Sequence, residues 1–350
     1  MPIGSVSPGL SLPFWAILPF AGLLLTIAIA PLIAPKIWSD HFGKISFLFG
    51  APVVLWFLFG APVELYYTIL DYISFLLLLG SLFTISGGIF LQGSLRGTPS
   101  MNCAFLSIGA IAANVFGTTG ASMVLIRPML RANAHRKKVA HVVVFFIFIV
   151  SNVGGLLTPV GDPPLFLGFL RGVPFLWTFR NLWHIWLFAT GSTIGIFYVL
   201  DRMAYASEAS VDAGLGPRST EKTSLSIQGK ENFLYLGMAI GAVFLPSPWR
   251  ETTMAAAAII SVRRTPERIR RENGFTYHPI GEVAILFAAI FATMMPALII
   301  LKARGGDLGV SSPAHFFWAA GSLSSFLDNA PTYLTFLTVA QHDGGEQLHR

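Results

Sequence analysis

Residues 151–164 read SNVGGLLTPVGDPP and sit in the middle of an otherwise apolar run, 139–179. A helix accepts this stretch badly. Pro159, Pro163 and Pro164 remove amide donors, and Gly154, Gly155 and Gly161 favour backbone that a helix does not use. The sequence therefore predicts two short helices with a break between them. Inside a bilayer, unpaired backbone survives only where protein or a water-filled cavity satisfies it, so a break carrying Asp162 reads as part of an ion or substrate site. The plainer reading is a surface loop between two short helices. Against it, residues 165–179 stay mostly apolar, as the second half of an interrupted span would.

The rest of the chain agrees with a membrane setting. It is 54% hydrophobic and only 11% charged, against roughly 25% charged in a soluble domain. The fold class expected is an all-α polytopic membrane protein. Spans need about 20 apolar residues, and the candidates are 12–33, 45–60, 66–91, 139–179 with its break, 182–200 and 280–301. The runs 233–244 and 252–262 are short enough to be interfacial. Two further runs, 101–130 and 315–340, carry small polar residues at their centres and read as re-entrant hairpins. The basic residues fall between the apolar runs, so the +6 charge reflects the side facing the cytoplasm and not nucleic-acid binding. No Lys or Arg precedes 12–33, whereas Lys36 and Lys44 follow it, which predicts a retained first span with its N-terminus outside. The lone Cys103 excludes a disulfide framework and a cysteine metal site.

Two regions look alike. Phe83–Gly88 can be set against Phe291–Pro296, and Gly109 against Gly321; each region is a long apolar span followed by an interrupted hairpin, and the basic residues orient the two oppositely. This is the pattern of an inverted-repeat transporter with re-entrant hairpins and a broken helix. The second copy of the broken helix would begin where the sequence given ends, so the second repeat is expected to be incomplete, in a truncated transporter or a remnant. The division expected is 1–64 for N-terminal spans, 65–200 for the first transport repeat, 201–231 for a polar cytoplasmic linker, 232–278 for connecting helices and a basic loop, and 279–350 for a partial second repeat.

Four segments carry a family resemblance: ANVFGTTGASMVLIRP from Ala113, SNVGGLLTPVGDPPLFLGFLRGVPF from Ser151, NGFTYHPIGEVAILFAAIFATMMPAL from Asn273 and SSFLDNAPTYLTF from Ser324. In this order they resemble the ion transporter superfamily of NhaD-type sodium/proton antiporters, arsenite permeases and citrate-type transporters, and are most similar to the NhaD-like members. The resemblance implies secondary active exchange of sodium for protons by alternating access, in a multi-pass protein of the bacterial inner membrane. The alternative is a citrate, dicarboxylate or arsenite permease. The expected partners are the lipid bilayer, sodium and protons, with a homodimer possible through the GxxxG at Gly237–Gly241, and no cofactor beyond the transported ions. No H-E-x-x-H, nucleophile–base frame or nucleotide loop is present, so an enzyme is not expected.

Sodium is a hard cation and takes oxygen ligands. The residues nominated are Asn114, Thr118, Thr119 and Ser122 in the first hairpin, Ser151, Asn152, Thr158 and Asp162 at the break, and Ser324, Ser325, Asp328, Asn329 and Thr332 in the second hairpin. Sodium itself is expected at Asp328, Asn329, Asn114 and Thr118. A carboxylate at Asp328 would let sodium and protons compete for one position. The competing reading of the small polar residues is close helix packing, and of Asp162 a turn or helix cap. Asp71 and Glu282 are further acids within spans, open as proton relays, although Glu282 also suits a helix N-terminus.

Overall fold

Proline opens many of the helices, at the first-turn positions where a missing N–H costs nothing. The computed structural model describes residues 12–93, 95–212, 226–304, 309–310, 312–325 and 327–343. After a 3-10 turn at Phe14–Ile17 come α1 (Leu18–Ile33), α2 (Pro35–Gly60), α3 (Pro62–Ser86), a short strand β1 (Phe90–Gln92) and α4 (Pro99–Ala132). Next are α5 (Ala140–Ile149), a 3-10 turn at Val153–Gly155, α6 (Pro163–Leu170), α7 (Trp177–Asp212) and β2 (Ser226–Gln228). Then follow α8 (Glu231–Ala242), α9 (Trp249–Arg264), α10 (Glu267–Glu272), α11 (His278–Arg304), α12 (Pro313–Ser324) and α13 (Asn329–Asp343). Among the described residues, six stretches are long and apolar enough to cross a membrane, by length and composition. The broken run is two helices, α5 and α6, with non-helical chain between them, as the sequence predicts.

One compact unit holds residues 1–76, 167–173 and 277–350. Here α2 and α11 approach closely because Gly50 faces Ala289: a Cβ at Gly50 would already sit 3.4 Å from the Ala289 Cα. Val53, Phe57, Ala61 and Leu65 are buried with Met295 and Ile299. Phe75 stacks on Phe287 with ring centroids 4.7 Å apart, and the Tyr72 hydroxyl donates to the Ala284 carbonyl at 2.9 Å. The Phe316 and Phe336 rings lie 6.2 Å apart, so α12 and α13 run back along each other as a hairpin.

The second unit holds residues 77–166 and 174–276. Its centre is α4, which is not one straight helix. Gly117 has φ 78° and ψ 153°, outside helical backbone. On either side of it the chain meets itself symmetrically: Gly97 N–H donates to Ala132 O at 2.8 Å, Asn102 and Asn133 exchange side-chain hydrogen bonds at 3.0 and 2.7 Å, and Gly109 lies against Leu125. The predicted first hairpin is therefore real, with its tip at Gly117. Phe105, Leu106 and Met129 from its two limbs are buried with Phe146 and Ile149 of α5 and Phe197 of α7. A small antiparallel pair, β1 with β2, and the antiparallel helices α8 and α9 complete the unit.

Two helices run further than the apolar pattern alone suggests. α2 starts at Pro35, ten residues before the apolar run from Ile45, and α7 continues past Leu200 to Asp212. In α7 the reason is visible: Asp201 is fully buried, its carboxylate 2.6 Å from Arg136, 2.7 Å from His141 and 2.8 Å from Asn102. Three bonding partners remove the penalty that a lone buried carboxylate would carry. A second clamp lies at the end of α3. Arg270 donates to the Thr84 carbonyl at 2.6 Å and to the Ser261 hydroxyl at 2.9 Å, and Asn273 donates to the carbonyls of Gly87 and Ile89. These bonds satisfy carbonyls that a helix end leaves open.

Outward faces carry large apolar side chains, among them Leu32 83%, Phe59 85% and Phe188 77% exposed. Water would not tolerate so many side by side; lipid does.

Candidate functional site

The break in α4 and the break between α5 and α6 occur at the same place and are stitched together. Thr118 N–H donates to the Gly161 carbonyl at 2.9 Å, and Leu157 N–H donates to the Asn114 side-chain oxygen at 2.9 Å. The Thr158 hydroxyl donates to the Asn114 carbonyl and accepts from Gly161 N–H. Thus the peptide groups that the breaks release are paired across from one interrupted helix to the other, as membrane-depth backbone requires. Glycine makes the approach possible. A Cβ on Gly161 would collide with the Gly155 backbone, one on Gly155 with the Gly161 carbonyl, and one on Gly154 would lie 2.9 Å from the Ala110 Cα. Ser122 and Ser151 share a hydrogen bond at 2.8 Å, the Thr178 hydroxyl donates to the Leu157 carbonyl, and the Trp186 indole N–H donates to the Gly154 carbonyl.

Of the residues nominated from sequence, Asn114, Thr118, Thr158, Ser122 and Ser151 are brought together at this crossing. Most of their polar atoms are committed to one another: Asn114 spends its Nδ2 on the Ala110 carbonyl and its Oδ1 on Leu157. Thr158 keeps one lone pair. Thr119 and Asn152 are exposed, and the Asn152 side chain does not cap the turn that follows it. Asp162 accepts Leu165 N–H through its carbonyl, directly before Pro163 and Pro164.

At the second tip, Ser324 donates to the Asn329 side-chain oxygen at 3.0 Å, Ser325 to the Gly321 carbonyl and Thr332 to the Asp328 carbonyl. Asp328 is exposed, and its carboxylate accepts Ala330 N–H at 3.4 Å, capping α13. The two half-helix starts differ: Asp162 is followed at once by Pro163 and Pro164, which offer no N–H, whereas Asp328 is followed by Asn329 and Ala330 before Pro331, and its carboxylate accepts the Ala330 N–H.

Glu282 lies one turn into α11, 3.5 Å from His278 four residues before it. Arg127, near the end of the first hairpin, donates to the Gly274 carbonyl. Sequence reading missed Asn102, Asn133, His141 and Asp201, and counted Arg136 and Arg270 only as basic loop residues. A signal did exist for the asparagines, whose positions are nearly symmetric about Gly117 once the hairpin is assumed.

A family model, CitMHS_2, described as "Putative citrate transport", matches residues 9–349. The chain belongs to this family. No curated protein matches it. As a member of a citrate-transport family with six long apolar stretches among its described residues, it is an integral multi-pass membrane transport protein, consistent with the ion transporter superfamily. For a transporter of this family, the crossing of two interrupted helices is the place in the second unit where regular backbone pairing gives way to oxygen-rich chain.

Proposed function

We propose that the chain is a secondary transporter that binds sodium at its helix breaks and uses the sodium gradient to move its cargo by alternating access. The observation that supports this is the shared break: Gly117 and residues 150–162 leave helical geometry together, so peptide and hydroxyl oxygens gather where a hard cation would be held. Asn114 and Thr118 at one tip and Asp328 and Asn329 at the other are the residues we assign to sodium. Ser122, Ser151, Asn152, Thr119, Thr158, Asp162, Ser324, Ser325 and Thr332 support those positions or supply further oxygens.

Two cargoes fit. In sodium/proton exchange, the Asp328 carboxylate alternates between a bound sodium and a proton. In sodium-coupled citrate transport, favoured by the family description, the oxygens hold the co-transported cation and a cationic side chain meets a citrate carboxylate.

Purified full-length chain in proteoliposomes separates them. An imposed sodium gradient should change internal pH in the first case and drive labelled citrate uptake in the second, and both should be lost in Asp328→Asn. Neither flux from folded, monodisperse protein would overturn the proposal.

A further inference from the structure

Arg136, Arg171 and Arg270 differ in what they hold. Arg136 is spent on Asn133 and Asp201, and Arg270 on Thr84 and Ser261. Arg171, at the far end of the half-helix α6, donates no side-chain hydrogen bond among the described residues. It is not needed to close that helix: Gly172 takes φ 96°, and the N–H groups of Arg171, Gly172 and Val173 already cover the carbonyls of Gly168 and Phe169. Its electrostatic neighbours are Asp71 on α3, which is buried, and Tyr333 on α13. The Tyr333 hydroxyl likewise makes no hydrogen bond among the described residues. It is lodged against Gly168, where a Cβ would lie 2.2 Å from the hydroxyl oxygen. All four residues belong to the first unit.

We propose that the Arg171 guanidinium and the Tyr333 hydroxyl form a carboxylate-binding site that takes one carboxylate of an organic acid such as citrate. This rests on the citrate reading of the transporter and names the side chains that read its cargo. A guanidinium offers paired N–H groups that match two carboxylate oxygens, which an ammonium cannot do. The phenol O–H supplies a third donor, and the missing Cβ of Gly168 makes room for it beside α6. Asp71 offsets the arginine charge while the site is empty, which allows Arg171 to reside among apolar helices. It also competes with the incoming carboxylate, so binding stays weak enough for release.

The test uses purified full-length chain, with citrate binding followed by calorimetry in detergent and citrate uptake measured in proteoliposomes. Arg171→Lys, which keeps the charge and loses the fork, should weaken citrate binding about tenfold or more, and Tyr333→Phe about threefold to tenfold. In uptake, both should raise KM more than they lower kcat, with the stabilisation by sodium unchanged. The double variant Asp71→Asn with Arg171→Gln leaves no unpaired charge and should fold, yet bind no citrate. Wild-type affinity in folded Arg171→Lys and Tyr333→Phe would overturn the site while leaving citrate transport standing. A wild type that neither binds nor carries citrate would remove the reading it rests on, and the site with it.

Discussion

The two hairpins solve the same turn in opposite ways. The first reverses on one residue, Gly117, and spends Asn114, Thr118 and Thr158 on fastening that tip to the chain between α5 and α6. In the second, between α12 and α13, the described bonds are local, and Asp328 stands directly before α13. The first tip is thus a structural joint whose oxygens are largely used, and the second presents a carboxylate that, among the described residues, is engaged by its own helix. Sequence alone treats the two lists of Ser, Thr and Asn as equivalent; the hydrogen bonds separate them.

Substitutions can break or sharpen that contrast. The largest effect is expected at the base of the first hairpin. Arg136→Met leaves Asp201 buried with a charge that His141 and Asn102 alone must satisfy, and should cost about 3–5 kcal/mol in a denaturation series in detergent. Combining it with Asp201→Leu should recover much of that loss. Next comes the joint itself: Gly161→Ala forces the Gly155 backbone away and should cost about 1–3 kcal/mol, read as a lower melting temperature. An equal cost from Ser325→Ala at the second tip would erase the distinction. Ser122→Ala removes the bond to Ser151 and should cost about 1 kcal/mol. Asp328→Asn keeps a good cap and should change stability by only a few tenths of a kcal/mol, so that any loss of sodium-driven flux reports on the carboxylate.

The smallest effect concerns His135, in the loop after the first hairpin. Partial desolvation, then the charges of Arg96 and Arg136, hold its imidazole below the usual histidine pKa of 6.5. The folded protein therefore binds this proton less readily than the unfolded chain. Its contribution to stability is complete above pH 6.5 and declines as the pH falls below that value towards the folded pKa. Because His135 is exposed, the slope should be shallow, and His135→Gln should flatten it in melting curves taken across that range.

Much of the architecture was legible in the chain because lipid imposes blunt rules. Apolar runs of the right length became helices, and the clustered proline and glycine at 159–164 marked a break. Small polar residues at the centres of two apolar runs located both hairpins. What could not be read was the pairing of charges. Asp201 looks like the polar end of a span, and its partners Arg136, His141 and Asn102 lie up to 99 positions away along the chain. Nothing in local spacing announces such a meeting. The same limit applies to the oxygens at the first tip: their identities suggest a ligand set, and only their geometry reveals that most serve as fasteners. Arg171 was hidden for a related reason, since a basic residue at the end of an apolar helix usually reads as an interface anchor.

The burial of Arg270 has a bearing on how this chain acquires its orientation. An arginine in a loop beside a span biases insertion while the polypeptide is being threaded into the bilayer. Once folded, this one is only 7% exposed and is held by the Thr84 carbonyl and the Ser261 hydroxyl. Its charge thus steers the nascent chain early and is later withdrawn from lipid phosphates, so a guanidinium-modifying reagent applied to the mature protein should label Arg268 and Arg271 and spare it.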